Sequence, residues 1–238
     1  MQILHSPVSF ILIVFDFLKK RKSYPPFWRE YEDCFKESWP KEAPVEEIRF
    51  VVLDTETTGL LVKKDKILSI AAAGLKNNRL DMEDTFECYV NQEIKPGESV
   101  TVHGILSKET RGGLPEDLAI RNFLAFCKDS VLVGQHIGFD VAVFNAALKG
   151  MGAGKLENTI LDTAKLALMA EHPFDPYYVV QKPEEYSLDA LCKRYNIPAQ
   201  ERHTAAGDVY ITAILFLKLL ARLRQRGLNT LGDLKAVR

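Results

Sequence analysis

Three short segments hold the residue types most able to do chemistry. The first is Asp54-Thr55-Glu56-Thr57-Thr58-Gly59. On an extended chain the side chains at i and i+2 point to the same face, so Asp54 and Glu56 project together, about 6 to 7 Å apart at the backbone. Two adjacent carboxylates repel each other and are costly to bury unpaired. A hard divalent cation relieves that repulsion, and oxygen ligands suit magnesium or manganese. The competing reading of the segment is a strand-end turn carrying solvated acids. Gly59 reads as a turn where a ligand must come close to the backbone.

The second segment, Gly134-Gln135-His136-Ile137-Gly138-Phe139-Asp140, follows a short apolar run. It places Asp140 in the first turn of a helix, where a carboxylate is stabilised and could simply be a capping residue. The third is His203-Thr204-Ala205-Ala206-Gly207-Asp208. If both His203 and Asp208 were helical they could not share a face, because five residues turn about 140° beyond one revolution. With Thr204 as the N-cap, His203 lies in the preceding loop and Asp208 points inward from the first helical turns.

These segments need elements to position them. Ile48 to Leu53 is a short apolar run that reads as a buried central strand. Lys66 to Leu75 and Thr85 to Asn91 read as two more strands, with Asn77-Asn78 as a turn between them. A helix follows Pro115 and continues through Cys127. Val131-Leu132-Val133 is a fourth strand, and Phe139 to Lys149 a helix stopped by Gly150. Thr159-Ile160-Leu161 is a fifth strand leading into a helix to about residue 170. Ser187 caps a helix over Leu188 to Tyr195, and Thr204 caps a long last helix to about residue 224. Three hairpin-like strands followed by alternating helix and strand predict an α/β sandwich with a mixed sheet. Active sites in such sheets lie at strand ends, where the Asp54 and Asp140 loops would converge.

Residues 1–46 differ in character and are read as an N-terminal extension ahead of a main domain over 47–238. Phe10, Val14, Phe15 and Leu18 would line one face of a short helix, read either as a docking segment or as a helix packed on its own domain. Pro40 and Pro44 suggest a linker.

The chain has 238 residues, 47% of them hydrophobic, enough for one sizeable core. Its formal net charge of −1 argues against a broad basic surface gripping duplex nucleic acid. A small site drawing its positive charge from metal ions stays compatible with it. The four cysteines form no CxxC pair and read as free thiols of a reducing cytoplasm. No stretch reaches the length of a membrane span, and the basic run Lys19-Lys20-Arg21-Lys22 follows the nearest apolar stretch, the wrong order for a signal peptide.

Taken together, Asp54-Thr55-Glu56-Thr57-Thr58-Gly59, Phe139-Asp140 and His203 with Asp208 resemble the three exonuclease motifs of the DEDDh branch of the DnaQ-like superfamily, including the proofreading subunit of bacterial DNA polymerase III. Val102-His103-Gly104-Ile105 and Leu161-Asp162-Thr163 resemble further family segments, and the likeness covers roughly residues 48–224. It implies an RNase H-like three-layer sandwich with a mixed five-stranded sheet. It also implies a 3′→5′ exonuclease that releases nucleoside monophosphates from single-stranded or frayed 3′ ends of DNA, in proofreading or repair.

The implied machinery is two divalent cations, Mg²⁺ or Mn²⁺. Asp54 would bridge them, Glu56 and Asp208 would complete the ion carrying the nucleophilic water, and Asp140 would support the second. His203 would be the general base, a task an imidazole suits at neutral pH. The resemblance assigns Thr57, Thr58, Leu60, His103 and Phe139 to the terminal nucleotide. One departure is Gln135-His136, where the family usually carries His-Asn. The family's polymerase subunit also has a polymerase-binding C-terminal tail. This chain ends soon after its last long helix, so stable docking to a replicative polymerase is not expected. Two other readings fit the same residues: an RNA 3′-end trimmer, and a catalytically silent nucleic-acid binding module.

Overall fold

A computed structural model describes residues 23–92, 110–172, 183–200 and 202–236. The expected helix around Phe10 to Leu18 and the pocket residue His103 lie outside them. Five strands form one mixed sheet: β1 (Phe50–Thr57), β2 (Ile67–Lys76), β3 (Arg79–Tyr89), β4 (Val131–Gly134) and β5 (Ile160–Asp162), in the order β3-β2-β1-β4-β5. β1, β2 and β3 pair antiparallel as a meander, and β4 and β5 add on in parallel with β1. The helices are α1 (Pro26–Asp33), α2 (Glu116–Cys127), α3 (Gly138–Gly150), α4 (Thr163–Glu171), α5 (Leu188–Arg194), α6 (Ala205–Arg224) and α7 (Leu231–Lys235).

The sheet is buried on both sides because its central strands are apolar at successive positions. Along β1, Phe50 and Val52 face a core shared with α4, α5 and α6. Val51 and Leu53 face a second core, built with α1, α2 and α3. The result is three layers, helices on each face of a sheet, as expected of the RNase H-like sandwich. Phe50 meets Phe216 of α6 edge-on at 5.0 Å, and Phe123 stacks on Phe144 at 4.7 Å on the other face.

Besides β1, which runs Phe50–Thr57 rather than Ile48 to Leu53 and so carries the acids within the strand, three features differ from the sequence reading. β3 starts at Arg79 rather than Thr85, because Asn77 and Asn78 adopt φ of 54° and 57° and close a two-residue turn with Lys76 paired to Arg79. The polar run after the turn is tolerated as strand because β3 is a sheet edge open to water. α3 ends at Gly150, but the turn that leaves it is made by Gly152. Gly152 takes φ 73°, and the Ala153 N–H returns to the Leu148 carbonyl at 2.9 Å.

The third difference is the stretch read as a linker. Pro44 bridges to Thr230, the Val45 N–H donates to the Asn229 carbonyl at 2.9 Å, and the Leu231 N–H donates to the Ala43 carbonyl at 3.0 Å. Ahead of it, α1 buries Trp28 and Tyr31, and the Tyr31 hydroxyl donates to Asn158 Oδ1 at 2.6 Å. Residues 23–46 thus supply side chains to both cores.

Candidate active site

Strand parity builds the site. Positions 50 and 52 face the α6 layer, so Asp54 and Glu56 continue along that face, beyond the apolar part of β1. Asp208 enters from the first turn of α6. One carboxylate oxygen from each of Asp54, Glu56 and Asp208 lies within 4.8 Å of the others. Position 55 faces the opposite layer, where α3 begins. There Asp140 Oδ1 accepts from both the Thr55 N–H at 3.1 Å and the Thr55 hydroxyl at 2.6 Å. Asp140 sits in the first turn of its own helix and is also tied across to β1. The structure brings all four acids to one end of β1, three from one face and one from the other.

β1 and β4 run parallel, so their C-terminal ends open on the same side of the sheet, the usual place for a site in such folds. The β1–β2 ladder slips between Glu56 and Thr57, a bulge that bends the strand at the acids. A cavity of about 400 Å³ opens here, bordered by Asp54, Glu56 and Asp140 and by Leu60 and Phe139.

The acids stand in each other's field. Burial, then repulsion from Asp140, Asp208 and Glu56, holds the Asp54 carboxyl well above the usual carboxylate range, with Arg202 opposing. Burial and the charges of Asp208 and Asp140 push Glu56 up to about 7, again opposed by Arg202. Burial raises Asp140 to about 6 despite its hydrogen bonds to Thr55, which pull the other way. Such a cluster is an energetic liability unless a cation shares it.

His203 lies in the loop before α6, exposed, with φ of 68°, and Thr204 caps that helix by accepting from the Gly207 N–H at 3.1 Å. It is outside the carboxylate cluster and the cavity wall. Of the residues assigned to a nucleotide, Thr57, Leu60 and Phe139 border the cavity. Leu60 is 82% exposed at its rim. Thr58 does not border it; its hydroxyl donates to Asp65 Oδ1 and accepts from the Lys66 N–H, both at 3.0 Å. Gly59 makes room for a side chain of the protein itself. A Cβ there would lie 2.8 Å from Asp65 Oδ2.

Gln135, at the departure from the family pattern, has a structural task. Its amide donates to the Tyr186 carbonyl at 2.7 Å and accepts from the Thr163 hydroxyl at 2.6 Å. Two residues escaped the sequence reading. Arg202 donates to Asp208 Oδ1 through Nη1 and to Asp189 Oδ1 through Nε, the latter at 2.6 Å. Thr55 anchors Asp140. The only signal for Arg202 was its place directly before His203, and for Thr55 its place between the two acids.

This geometry agrees with what the chain resembles. A family described as "Exonuclease" (RNase_T) matches residues 51–216, and the chain belongs to that exonuclease family. Among relatives, a DNA polymerase III subunit epsilon-like protein of Rhodobacter capsulatus is 37% identical over 201 residues. A PolC-type DNA polymerase III of Caldanaerobacter subterraneus subsp. tengcongensis is 32% identical over 189. They are matched over 82% and 79% of this chain, which spans only 27% and 13% of their own lengths. The fold is also that of E. coli exonuclease I in complex with a dT13 oligonucleotide, with a TM-score of 0.61 at 19% identity, covering 76% of this chain and 43% of that one. Cell-death related nuclease 4 aligns with a TM-score of 0.56 at 12% identity, over 74% of this chain and 64% of that one.

Proposed function

We propose that this chain is a metal-dependent 3′→5′ exonuclease that removes nucleoside monophosphates from single-stranded or frayed DNA 3′ ends, in proofreading or repair. The observation that carries the reading is the convergence of Asp54, Glu56 and Asp208 within 4.8 Å, with Asp140 braced beside them by Thr55. The donors are all hard carboxylate oxygens, partly or fully buried and mutually repelling, which fits Mg²⁺ or Mn²⁺ better than a soft or redox metal. When bound, a pair of such ions supplies an activated water and stabilises the leaving oxygen.

The protein's own residues do the rest. Asp54, Glu56 and Asp208 would hold the ions, and Asp140, braced by Thr55, would support them. His203 takes the proton of the attacking water. Leu60 and Phe139 offer apolar faces to the terminal base, which suits an enzyme that accepts any base. Thr57 completes the nucleotide contacts, His103 is assigned there by the family resemblance alone, and Thr58 acts by shaping the loop through Asp65. DNA is favoured as substrate because the relatives above 30% identity bear DNA polymerase III names. The free thiols of the described residues fit a reducing cytoplasm, and no helix among those residues is long and apolar enough to cross a membrane.

The test uses one single-stranded DNA labelled at either end, with and without magnesium. A 3′ label should leave at once as a mononucleotide, while a 5′ label should pass through a descending ladder. Early mononucleotide release from the 5′ label, or equal turnover in a chelator, overturns the reading. A matched RNA strand degraded faster than the DNA would reassign the substrate.

A further inference from the structure

The Arg202 side chain is only 17% exposed and lies between two carboxylates that belong to different helices. Its Nε–H donates to Asp189 in the first turn of α5, and its Nη1–H donates to Asp208 Oδ1 in the first turn of α6. Asp208 is 11% exposed and Asp189 64% exposed, so the guanidinium runs from the solvent edge into the acidic cluster. A planar fork of N–H donors serves two carboxylates in fixed directions, whereas the three donors of a lysine ammonium rotate on a flexible stem.

We propose that Arg202, braced by Asp189, is a positioning residue of the divalent-cation centre: it orients the Asp208 carboxylate and pins the loop that carries His203. This rests on the reading of Asp208 as a metal ligand. With Oδ1 held, rotation of the Asp208 carboxylate about its Cβ–Cγ bond is fixed. So is the direction in which it offers lone pairs to an ion shared with Asp54 and Glu56. Outer partners of ligating carboxylates commonly act this way.

Charge supports an orienting task over a simple electrostatic one. Asp189 and Arg202 together add no net charge to the site, so the pair delivers geometry at less cost to the field that attracts a cation than an unpaired arginine would. The loop gains as well. His203 adopts φ of 68°, a left-handed conformation that a non-glycine residue holds only when its surroundings impose it. The residue before it is tied to two helices, and the residue after it caps one of them.

The test measures binding of Mn²⁺ alone to the full chain, by calorimetry or by the loss of the free-ion paramagnetic signal. It adds the dependence of nuclease rate on Mn²⁺. Asp208→Ala is the control for the underlying reading; if it binds Mn²⁺ like the wild type, that reading fails and the inference goes with it. Arg202→Met combined with Asp189→Asn removes both charges and leaves the net charge of the site unchanged. We expect this pair to weaken Mn²⁺ binding about tenfold or more, and to leave a reduced rate at saturating Mn²⁺ because the His203 loop is unpinned. Arg202→Lys should recover only part of either loss. Binding as tight as wild type or tighter in the double variant, with Asp208→Ala defective, overturns the inference. Should the double variant fail to fold, Asp189→Asn decides alone: its exposed side chain is safe to change, and a weakening of a few-fold is expected against none if the brace is idle.

Discussion

At the residue scale, the site is four carboxylates that the fold forces together, and their function can be broken one at a time. Asp54→Ala and Asp208→Ala should each lower metal-dependent nuclease activity to about one thousandth of wild type or less, with the circular dichroism spectrum unchanged. Full activity of either variant in magnesium would remove that residue from the machinery. His203→Ala should cost about a hundredfold or more in rate, as loss of a general base does, yet leave Mn²⁺ binding intact. A rate equal to wild type would return His203 to the role of a loop residue.

The cluster also couples stability to pH. Glu56 titrates at about 7 and Asp140 at about 6, against ordinary values of 4.5 and 3.8. Both folded-state values are raised, so the native state holds these protons more tightly than the unfolded chain. The associated stability is fully present below the unfolded values and is lost as pH climbs through 6 and 7. In a chelator, the melting temperature should therefore fall between about pH 5 and pH 8, and saturating magnesium should flatten that fall by sharing the ionised acids. Identical slopes in chelator and magnesium would mean that the ion binds elsewhere.

At the scale of elements, the site depends on where helices start. The Thr204 hydroxyl accepts from the Gly207 N–H, and the Thr204 carbonyl accepts from the Asp208 N–H at 2.9 Å. One cap thus fixes both the first turn that carries Asp208 and the exit of the loop that carries His203. Thr204→Ala should lower stability by about 1 kcal/mol in urea denaturation. It should lower nuclease activity by more than that small loss of folded protein explains. Activity that merely tracks the folded fraction would show that the cap matters for the helix alone. At the other corner, Asp140 lies in the first turn of α3 while Thr55 on β1 holds its Oδ1.

At the scale of the molecule, residues 23–46 behave as part of the sandwich. Trp28 is packed in the α1, α2 and α3 layer, with the Tyr31 ring centroid 4.9 Å from its own. Ala43 and Val45 lie in the opposite layer beside α7. Trp28→Ala should destabilise the full chain by about 3 to 5 kcal/mol, the usual cost of emptying a large buried aromatic site. A chemical denaturation midpoint unchanged from wild type would show that the segment is dispensable. The carboxylate cluster is built from the far ends of β1, α3 and α6, so activity per folded molecule should survive this change.

Much of this was legible from local pattern. The apolar run before Asp54 marked a central strand, and the i, i+2 spacing placed Asp54 and Glu56 on one face. Thr204 and Ser187 announced their helices because a cap is a short-range bond between near neighbours in the chain. The mixed sheet followed from three strands in hairpin order and two more alternating with helices. Tertiary contact decided the rest. No spacing rule shows that Thr55 holds Asp140 across 85 positions, or that Arg202 joins α5 to α6. Gly59 makes room for Asp65, and the proline-marked stretch before β1 is bound to the C-terminal turn. The sequence by itself determined which acids sit at the ends of which elements, because periodicity and capping are local. Which side chains brace those acids was left to the packing of layers distant in sequence.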